Sequence, residues 1–313
     1  MSPPNPHPDG AGPRRSPLPR LQGFDRETFA RDFDRARRPV VLSGAVASWP
    51  ALGAWTPEAF AERFRDLEVS ASVDLPDSQV PYLFRNVDHR RKMTFGAFVE
   101  RLGAGDRCYV DQADVKRFAG LEEDYSFAPL GAADVRVTSL WLGARTRSGL
   151  HYDYLDNLFA QVYGEKRALL VAPEAARLLY PFADNVTKSQ VAPESPDLGR
   201  HRRFARATLH EALLEPGDVL FIPQGWWHYL ATPGVSISLS CWYGHPLPRL
   251  HDARVMLRTG VRGWGRLIRD FFWHGVLGRP YEARLYSLPP TGKLIWDLLV
   301  SALPRRRRPS AAG

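Results

Sequence analysis

Three residues have the types and the spacing of a metal site: His151, Asp153 and His228. In a β-strand, residues two positions apart point to the same side, so a strand through His151 and Asp153 presents an imidazole and a carboxylate together. His228 follows a turn and an apolar strand at 218–222, which makes it the best candidate for a third ligand from another strand. Two histidines and one carboxylate leave the remaining positions of an octahedral ion open, as in non-haem Fe(II) oxygenases. By itself, a His-x-Asp pair is weak evidence for a metal and is more typical of a surface strand with two polar residues.

Lys166 is the second chemical candidate, because it leads into an apolar strand (residues 167–171) directly after the turn at 163–165. Burial of an ammonium group is costly unless an anion pairs with it. Lys166 therefore either lies at the exposed start of its strand or binds a cosubstrate carboxylate inside the protein. Two polar residues of the preceding strand, Asn157 and Gln161, accompany it.

The elements that must position these residues are mostly short strands after residue 134. Apolar patterns predict strands over residues 135–142, 149–153, 158–163, 167–171, 218–222 and 235–243. Repeated short strands separated by Gly and Pro favour a sandwich or barrel. Helices are predicted on either side, and the clearest begins at the N-cap Thr56 with Pro57 in its first turn. The predicted fold class is mainly β with flanking helices.

Composition excludes several classes of protein. Of the 313 residues, 44% are hydrophobic and 12% aromatic, which is enough for a sizeable core. No apolar segment approaches the roughly 20 residues that span a bilayer, and residues 1–21 have no apolar signal core, so we expect a cytoplasmic protein. Cys108 and Cys241 are too few for a disulfide framework or a cysteine-based zinc site. The net charge of +8 suits a nucleic-acid or acidic partner, but it also fits an arginine-rich coding bias.

Three separated segments carry a resemblance to a known family, in the family's own order. They are RPVVLSGAVASWPALGAWTPEAFAERF at 38–64, HYDYLDNLFAQVYGEKRALLV at 151–171 and GDVLFIPQGWWHYLATPGVSISLSCWY at 217–243. Residues 20–246 resemble the cupin-like, Jumonji-C-related oxygenases, of which the asparaginyl hydroxylases are a well-known group. The resemblance implies a double-stranded β-helix (cupin or jelly-roll) barrel, a bound Fe(II) and 2-oxoglutarate as cosubstrate.

The resemblance also implies roles for individual residues. His151, Asp153 and His228 would bind the iron, and Lys166 would bind the distal carboxylate of 2-oxoglutarate. Four further positions match the cosubstrate pocket of the family: Ser148, Tyr109, Asn157 and Trp242, of which Tyr109 rests on a weaker alignment. Ser240 departs from the pattern, because the asparaginyl hydroxylases have Asn there, and this puts one cosubstrate contact in doubt.

The predicted organisation has three parts: a disordered tail at 1–20, an oxygenase domain at 21–248, and a helical extension with a basic tail at 249–313. Trp264, Leu267, Ile268 and Phe271 form an apolar stripe at helical spacing in the extension, and residues 294–302 form a second. Such stripes are explained by packing on the same chain, by a homodimer as in the asparaginyl hydroxylases, or by binding to a membrane surface.

The function predicted from these features is that of an Fe(II)- and 2-oxoglutarate-dependent hydroxylase. Its substrate is open between a protein side chain, an RNA nucleoside and a small metabolite. Two alternatives remain from other classes: a metal-binding cupin enzyme that does not use 2-oxoglutarate, and a binding module that retains the pocket without turnover.

Overall fold

The computed structural model describes residues 12–75, 89–182, 185–248, 250–259, 261–281 and 289–302. The chain divides into two compact units. The larger consists of residues 1–180 and 188–247, and the smaller of residues 181–187 and 248–313. The division at 20/21 and 248/249 that we expect from the sequence stays a prediction.

The larger unit contains all the described strands. They are β1 (Arg14–Pro17), β2 (Arg20–Gln22), β3 (Val40–Ser43), β4 (Glu68–Ser72), β5 (Arg90–Thr94), β6 (Tyr109–Asp114), β7 (Val135–Ala144), β8 (Asp156–Tyr163), β9 (Lys166–Val171), β10 (Thr208–Leu214), β11 (Val219–Ile222), β12 (Trp227–Ala231) and β13 (Val235–Tyr243). Its longest helices are Pro57–Arg63 and Phe95–Gly103. Shorter helical segments are Arg26–Phe29 continuing as a π-helix over Ala30–Asp34, Ala51–Ala54, and 3-10 turns at Val115–Arg117, Leu121–Glu123, Ala128–Leu130, Pro173–Leu178 and Arg202–Arg206.

The strands form two sheets. The large sheet has the order β2-β3-β11-β8-β13-β7-β6-β4-β5, and the small sheet has the order β1-β10-β9-β12. Isolated bridges pair Arg147 with Ala231 and His151 with His228, so the segment 147–151 extends the small sheet beside β12. The antiparallel strands β7, β13, β8 and β11 thus face the segment 147–151, β12, β9 and β10. This is the predicted double-stranded β-helix barrel with flanking helices, and the fold prediction is confirmed.

The large sheet is buried on both faces. Its inner face packs against the small sheet, where Phe159 and Leu220 meet Leu170 and Leu214. Its outer face packs against the flanking helices through a second core that includes Phe60, Phe95 and Leu140. The alternation along each strand therefore separates residues that line the barrel from residues that hold the helices.

Helix starts follow local capping chemistry. The Thr56 hydroxyl accepts a hydrogen bond from the Ala59 N–H at 3.1 Å, and Pro57 occupies the first turn, as the sequence predicts. The hydroxyl of Thr94 accepts from the Ala97 N–H at 3.3 Å in the same way. These caps satisfy backbone donors that have no partner within the helix.

The N-terminal prediction is wrong for part of the predicted tail. Strand β1 pairs in parallel with β10, strand β2 pairs in parallel with β3, and Leu18 between them is buried. The local sequence is rich in Pro and Arg and has no strand pattern, so its order depends on partners that are distant in sequence. The predicted strand at 149–153 is also not a continuous one, because only the bridges of His151 lie within it. Residues 1–11 lie outside the described residues.

The smaller unit is helical. Its helices are Leu250–Arg258, Val261–Asp270, which continues as a π-helix over Phe271–Val276, and Thr291–Ala302. Several large apolar side chains on these elements are exposed: Trp264, Ile268, Phe272, Trp273, Val276, Leu299 and Val300. Within the described part of the chain, no helix has the length and apolar character needed to cross a bilayer.

The turn between β8 and β9 places Lys166 and yields a stability prediction. Gly164 has φ +67° in this turn, and a Cβ there would overlap the carbonyl oxygen of Val235 in β13. We expect Gly164→Ala to lower the free energy of unfolding by about 2–4 kcal/mol, measured by urea denaturation. The cost of the left-handed backbone conformation and the cost of the overlap between the methyl group and the Val235 carbonyl add together.

Gly44→Ala is the matched control. Gly44 has φ +62°, but nothing lies within 4 Å of its Cβ position, so only the strain of about 1 kcal/mol remains. Equal losses of stability in the two variants would show that the turn relaxes around the added methyl group and would contradict the prediction.

Candidate metal centre

His151, Asp153 and His228 meet at one end of the barrel. One ligand atom from each lies within 4.8 Å of the other two. Nε2 of His151 lies 3.8 Å from Oδ1 of Asp153, and Nε2 of His228 lies 3.6 Å from Oδ2 of Asp153. The spacing places three donors around one point, as the sequence predicts.

The backbone holds the two histidines side by side. The His151 N–H donates to the His228 carbonyl at 3.0 Å, and the His228 N–H donates to the His151 carbonyl at 2.6 Å. This reciprocal pair of bonds puts both side chains on the same face, with ring centroids 4.2 Å apart. The small sheet therefore fixes the distance between two of the three candidate ligands.

Each imidazole also has its tautomer set by a backbone carbonyl. Nδ1 of His151 lies 3.1 Å from the Gly149 carbonyl oxygen, and Nδ1 of His228 lies 3.1 Å from that of Trp226. A carbonyl only accepts, so Nδ1 carries the proton and Nε2 keeps a free lone pair. Such contacts orient metal-binding histidines and select the coordinating nitrogen.

The electrostatics keep both imidazoles neutral. Burial lowers the pKa of His151 well below its usual value, and the nearby Lys188 and His228 add to the effect. Burial likewise lowers the pKa of His228, whose side chain is only 3% exposed. A neutral imidazole is the form that binds a metal, because the lone pair must be unprotonated.

Asp153 is ionised and oriented. Burial acts to raise its pKa, but His228, His151, Lys188 and a hydrogen bond from Trp242 outweigh burial and hold the pKa below its usual range. The indole Nε1–H of Trp242 donates to Oδ2 at 3.0 Å. With 27% of its side chain exposed, Asp153 forms the most open side of the triad.

Lys166 is buried inside the barrel without a counter-ion. The residue is 3% exposed, and no described residue accepts a hydrogen bond from its ammonium or forms an ion pair with it. The contact that remains is the ring of Phe159, whose centroid lies 5.0 Å from Nζ. Burial lowers the pKa of Lys166 to about 7. An isolated buried cation is unfavourable, so this position suits an anionic ligand.

A row of aromatic rings joins the triad to Tyr109. Trp242 lies next to Trp141 with ring centroids 6.0 Å apart, and Trp141 lies 5.8 Å from Tyr109. Burial raises the pKa of Tyr109 well above its usual value, so its hydroxyl is neutral and can donate. Asn157, opposite Trp242 in the sheet, has a buried Oδ1 without a partner.

Ser148 and Ser240 have their hydroxyls engaged by the protein. Ser148 Oγ accepts from the Leu230 N–H and lies 2.9 Å from the Gly149 carbonyl, which ties the segment 147–151 to β12. Ser240 Oγ accepts from the Trp141 indole at 2.9 Å. The serine at 240 thus fixes the ring between Tyr109 and Trp242.

Lys188 is a site residue that sequence reasoning missed. It forms an isolated antiparallel bridge with His151, and bridge partners point to the same side of a sheet. Lys188 is half-buried, and burial lowers its pKa. Its positive charge acts to lower the pKa of His151, Asp153 and His228. Its segment has no strand pattern, and no signal in the sequence assigns it to this site.

The donor set fits a divalent first-row metal, because two neutral imidazoles and one carboxylate are typical ligands of non-haem iron. The interior fits an anionic group such as a carboxylate, because the Lys166 ammonium is buried without a counter-ion. These features suit a bound metal together with an organic anion.

Comparisons with known proteins agree with this geometry. Residues 26–247 match the family model described as a cupin-like domain. The chain is 33% identical over 264 residues to the tRNA wybutosine-synthesizing protein 5 of Danio rerio, covering 76% of this chain and 78% of that protein. It is 32% identical over 244 residues to the lysine-specific demethylase 8 of Xenopus tropicalis, covering 72% of this chain and 52% of that protein. The human tRNA wybutosine-synthesizing protein 5 is 29% identical, over 75% of this chain and 80% of its own length. With the barrel and the His-Asp-His triad, the match over 26–247 shows that the chain belongs to the cupin-like, Jumonji-C-type domain family.

Proposed function

We propose that this protein is an Fe(II)- and 2-oxoglutarate-dependent hydroxylase. The observation that carries the proposal is the pairing of a three-donor metal site with a buried, unpaired lysine in the same barrel. A metal-binding cupin that does not use 2-oxoglutarate has no need for the second feature.

Each residue of the site has a distinct role in this proposal. His151, Asp153 and His228 hold Fe(II), and Trp242 orients the carboxylate of Asp153. Lys166 binds the distal carboxylate of 2-oxoglutarate, with the neutral Tyr109 hydroxyl as a further donor and Asn157 lining the pocket. Ser148, whose hydroxyl joins two strands, supports the wall beside the cosubstrate.

The bound iron supplies the redox chemistry by which O₂ and 2-oxoglutarate give succinate, CO₂ and a hydroxylated product. The chain orients the cosubstrate through Lys166 and excludes water with apolar residues such as Phe159. Placement of the reacting groups is the main contribution of such a protein to the rate.

Turnover of 2-oxoglutarate tests the proposed function. We expect the purified chain to form succinate from 2-oxoglutarate only when Fe(II) and O₂ are present. His228→Ala should abolish this turnover and weaken Mn(II) binding at least tenfold, because two ligands no longer define the site. Succinate by mass spectrometry and Mn(II) by electron paramagnetic resonance are the measurements.

His274→Ala is the control for loss of a histidine, since His274 lies in the smaller unit and contacts the Arg279 carbonyl. Metal binding that survives unchanged in His228→Ala, or an equal loss in both variants, would contradict the assignment.

Lys166 makes cosubstrate binding depend on pH. A carboxylate binds the ammonium form, whose population falls above the free-protein pKa of about 7. We therefore expect the affinity of the Mn(II)-loaded protein for 2-oxoglutarate to fall by up to about tenfold per pH unit above 7, as calorimetry would show. Lys166→Met should weaken binding roughly 10- to 100-fold at pH 7, because a charge-assisted bond is lost.

Lys166→Arg is the matched variant for this pH dependence. A guanidinium stays protonated over the whole range, so residual 2-oxoglutarate binding should lose the decline between pH 7 and 9. If the wild-type and Arg variants show the same decline, another group controls the pH dependence and Lys166 does not bind the carboxylate.

The substrate we favour within this function is an RNA nucleoside. The relatives include proteins named for tRNA wybutosine synthesis, and the net charge of +8 suits a polyanion. A protein side chain is the second candidate, because other relatives are named lysine-specific demethylases. Stimulation of succinate formation by tRNA or by peptides, with one oxygen added to the stimulating molecule, distinguishes the two.

We also propose that the helical extension pairs two copies of the chain. Its exposed Trp264, Ile268, Phe272 and Leu299 are an unusual concentration of large apolar side chains for a solvent-facing surface. Burial of such residues against a second copy removes apolar area from water.

If the chain is a dimer, a charged residue in the interface should lower the mass of the particle. Leu299→Glu should shift the particle from twice 35.3 kDa towards the mass of one chain in light scattering, because it places a charge in an apolar interface. Ser301→Glu, an exposed position on the same helix, should leave the mass unchanged. A wild-type chain that runs as a monomer at every concentration would exclude the dimer.

A further inference from the structure

Lys188 is a cation beside the candidate metal centre that has no role in the proposed function so far. It pairs with His151 in an isolated antiparallel bridge, and His151 pairs with His228 on its other side. Bridge partners project to the same face of a sheet, so His228, His151 and Lys188 form one row across three adjacent backbones. Adjacent backbones are about 4.8 Å apart, which places the Lys188 side chain directly next to the triad.

The backbone that carries Lys188 is held by the residues that follow it. The Ser189 N–H donates to the Leu150 carbonyl at 2.9 Å, and the Ser189 hydroxyl donates to the Leu179 carbonyl at 2.5 Å. The same hydroxyl accepts from the Val191 N–H at 3.0 Å. Ser189 and Val191 are both buried. The place of Lys188 beside His151 is therefore fixed by the fold.

The nearest opposite charge to Lys188 is already engaged. Asp153 is the carboxylate that raises the pKa of Lys188 against the effect of burial, but no described residue forms an ion pair with this ammonium. The carboxylate of Asp153 also accepts from the Trp242 indole and belongs to the candidate metal ligands. A divalent ion on Asp153 takes up its negative charge and leaves Lys188 beside a second cation. Two neighbouring cations are unfavourable unless an anion joins them.

Lys188 and Lys166 lie on different sides of the two histidines. Lys166 is on β9, four residues or about 13 Å along the strand from Leu170, the register partner of His228. Exposure also rises along the row, from 3% for the His228 side chain to 15% for that of His151 and to the half-buried Lys188. An anion held by Lys166 inside the barrel therefore leaves Lys188 free to bind another one at the open side.

We infer that Lys188 binds an anionic group, a phosphate or a carboxylate, that the substrate carries next to the carbon to be oxidised. This role rests on the proposed hydroxylase function. An ammonium is a compact charge with three donors, and it forms charge-assisted bonds with either anion. Such a contact fixes the orientation of the substrate over the metal. A substrate with a cationic group at the target position, such as a lysine side chain, does not suit this site.

Two small anions test the site on the full-length, Mn(II)-loaded protein, with and without 2-oxoglutarate: dimethyl phosphate and acetate. Mn(II) speeds the nuclear magnetic relaxation of a probe that is held close to it, and this enhancement is the readout. We expect wild type to bind at least one probe, and Lys188→Met to weaken that binding about tenfold or more, because a charge-assisted bond is lost. Lys188→Arg should retain it. Lys116→Met, which removes an exposed lysine, is the control and should leave it unchanged.

The probe that binds more tightly tells whether the substrate group is a phosphate or a carboxylate. Calorimetry with 2-oxoglutarate tests whether Lys188 serves the cosubstrate instead. We expect Lys188→Met to weaken 2-oxoglutarate by less than about fivefold, because a charge without contact acts only through screened attraction.

Three results would overturn the role of Lys188. They are a wild type that binds neither probe, a probe that binds Lys188→Met as tightly as wild type, and a loss of 2-oxoglutarate affinity in Lys188→Met as large as that in Lys166→Met. A wild-type protein that binds no 2-oxoglutarate would instead contradict the proposed hydroxylase function, while Lys188-dependent binding of a probe beside Mn(II) would still support an anion site. Mn(II) affinity in Lys188→Met, expected to equal or exceed that of wild type because a like charge is removed, shows that the variant is folded.

Discussion

The unpaired ammonium of Lys166 is the constraint on which the interior of this barrel depends. Taking a cation out of water costs several kcal/mol unless an opposite charge accompanies it, and none of the described residues supplies one. The surrounding wall is otherwise well satisfied. Gln161, for example, donates to the Tyr163 and Gly164 carbonyls and accepts from Ser238. A barrel that buries an ammonium without a counter-ion is organised to receive an anion. Burial without a counter-ion lowers the pKa of Lys166 to about 7.

The same two sheets explain why the three candidate metal ligands meet. His151 and His228 exchange backbone hydrogen bonds, so their separation is a property of the small sheet rather than of flexible side chains. Asp153 follows two residues after His151 and is held from the large sheet by the Trp242 indole. The triad is therefore anchored to both layers of the barrel, and each ligand atom is oriented by a neighbour before any metal binds. This kind of preorganisation limits the entropy lost on binding.

The parts of this arrangement that sequence can predict are those governed by short-range rules. The strand period brings His151 and Asp153 to one side, and capping chemistry predicts the helix that begins after Thr56. The parts it misses depend on partners far away along the chain. Strand β1 has a Pro- and Arg-rich sequence and becomes ordered through β10, nearly two hundred residues later. Lys188 reaches the triad through a single bridge to His151, and no periodicity in its own segment indicates this.

We propose that one barrel holds a metal and a dicarboxylate at once, with Lys166 as the counter-charge of the dicarboxylate. The most direct measurement is a crystal structure of the full chain grown without oxygen in Mn(II) and 2-oxoglutarate. We expect a metal bound by His151, Asp153 and His228, and a distal carboxylate within hydrogen-bonding distance of Lys166 Nζ. A metal elsewhere, or a dicarboxylate that leaves Lys166 without an anion, would contradict it.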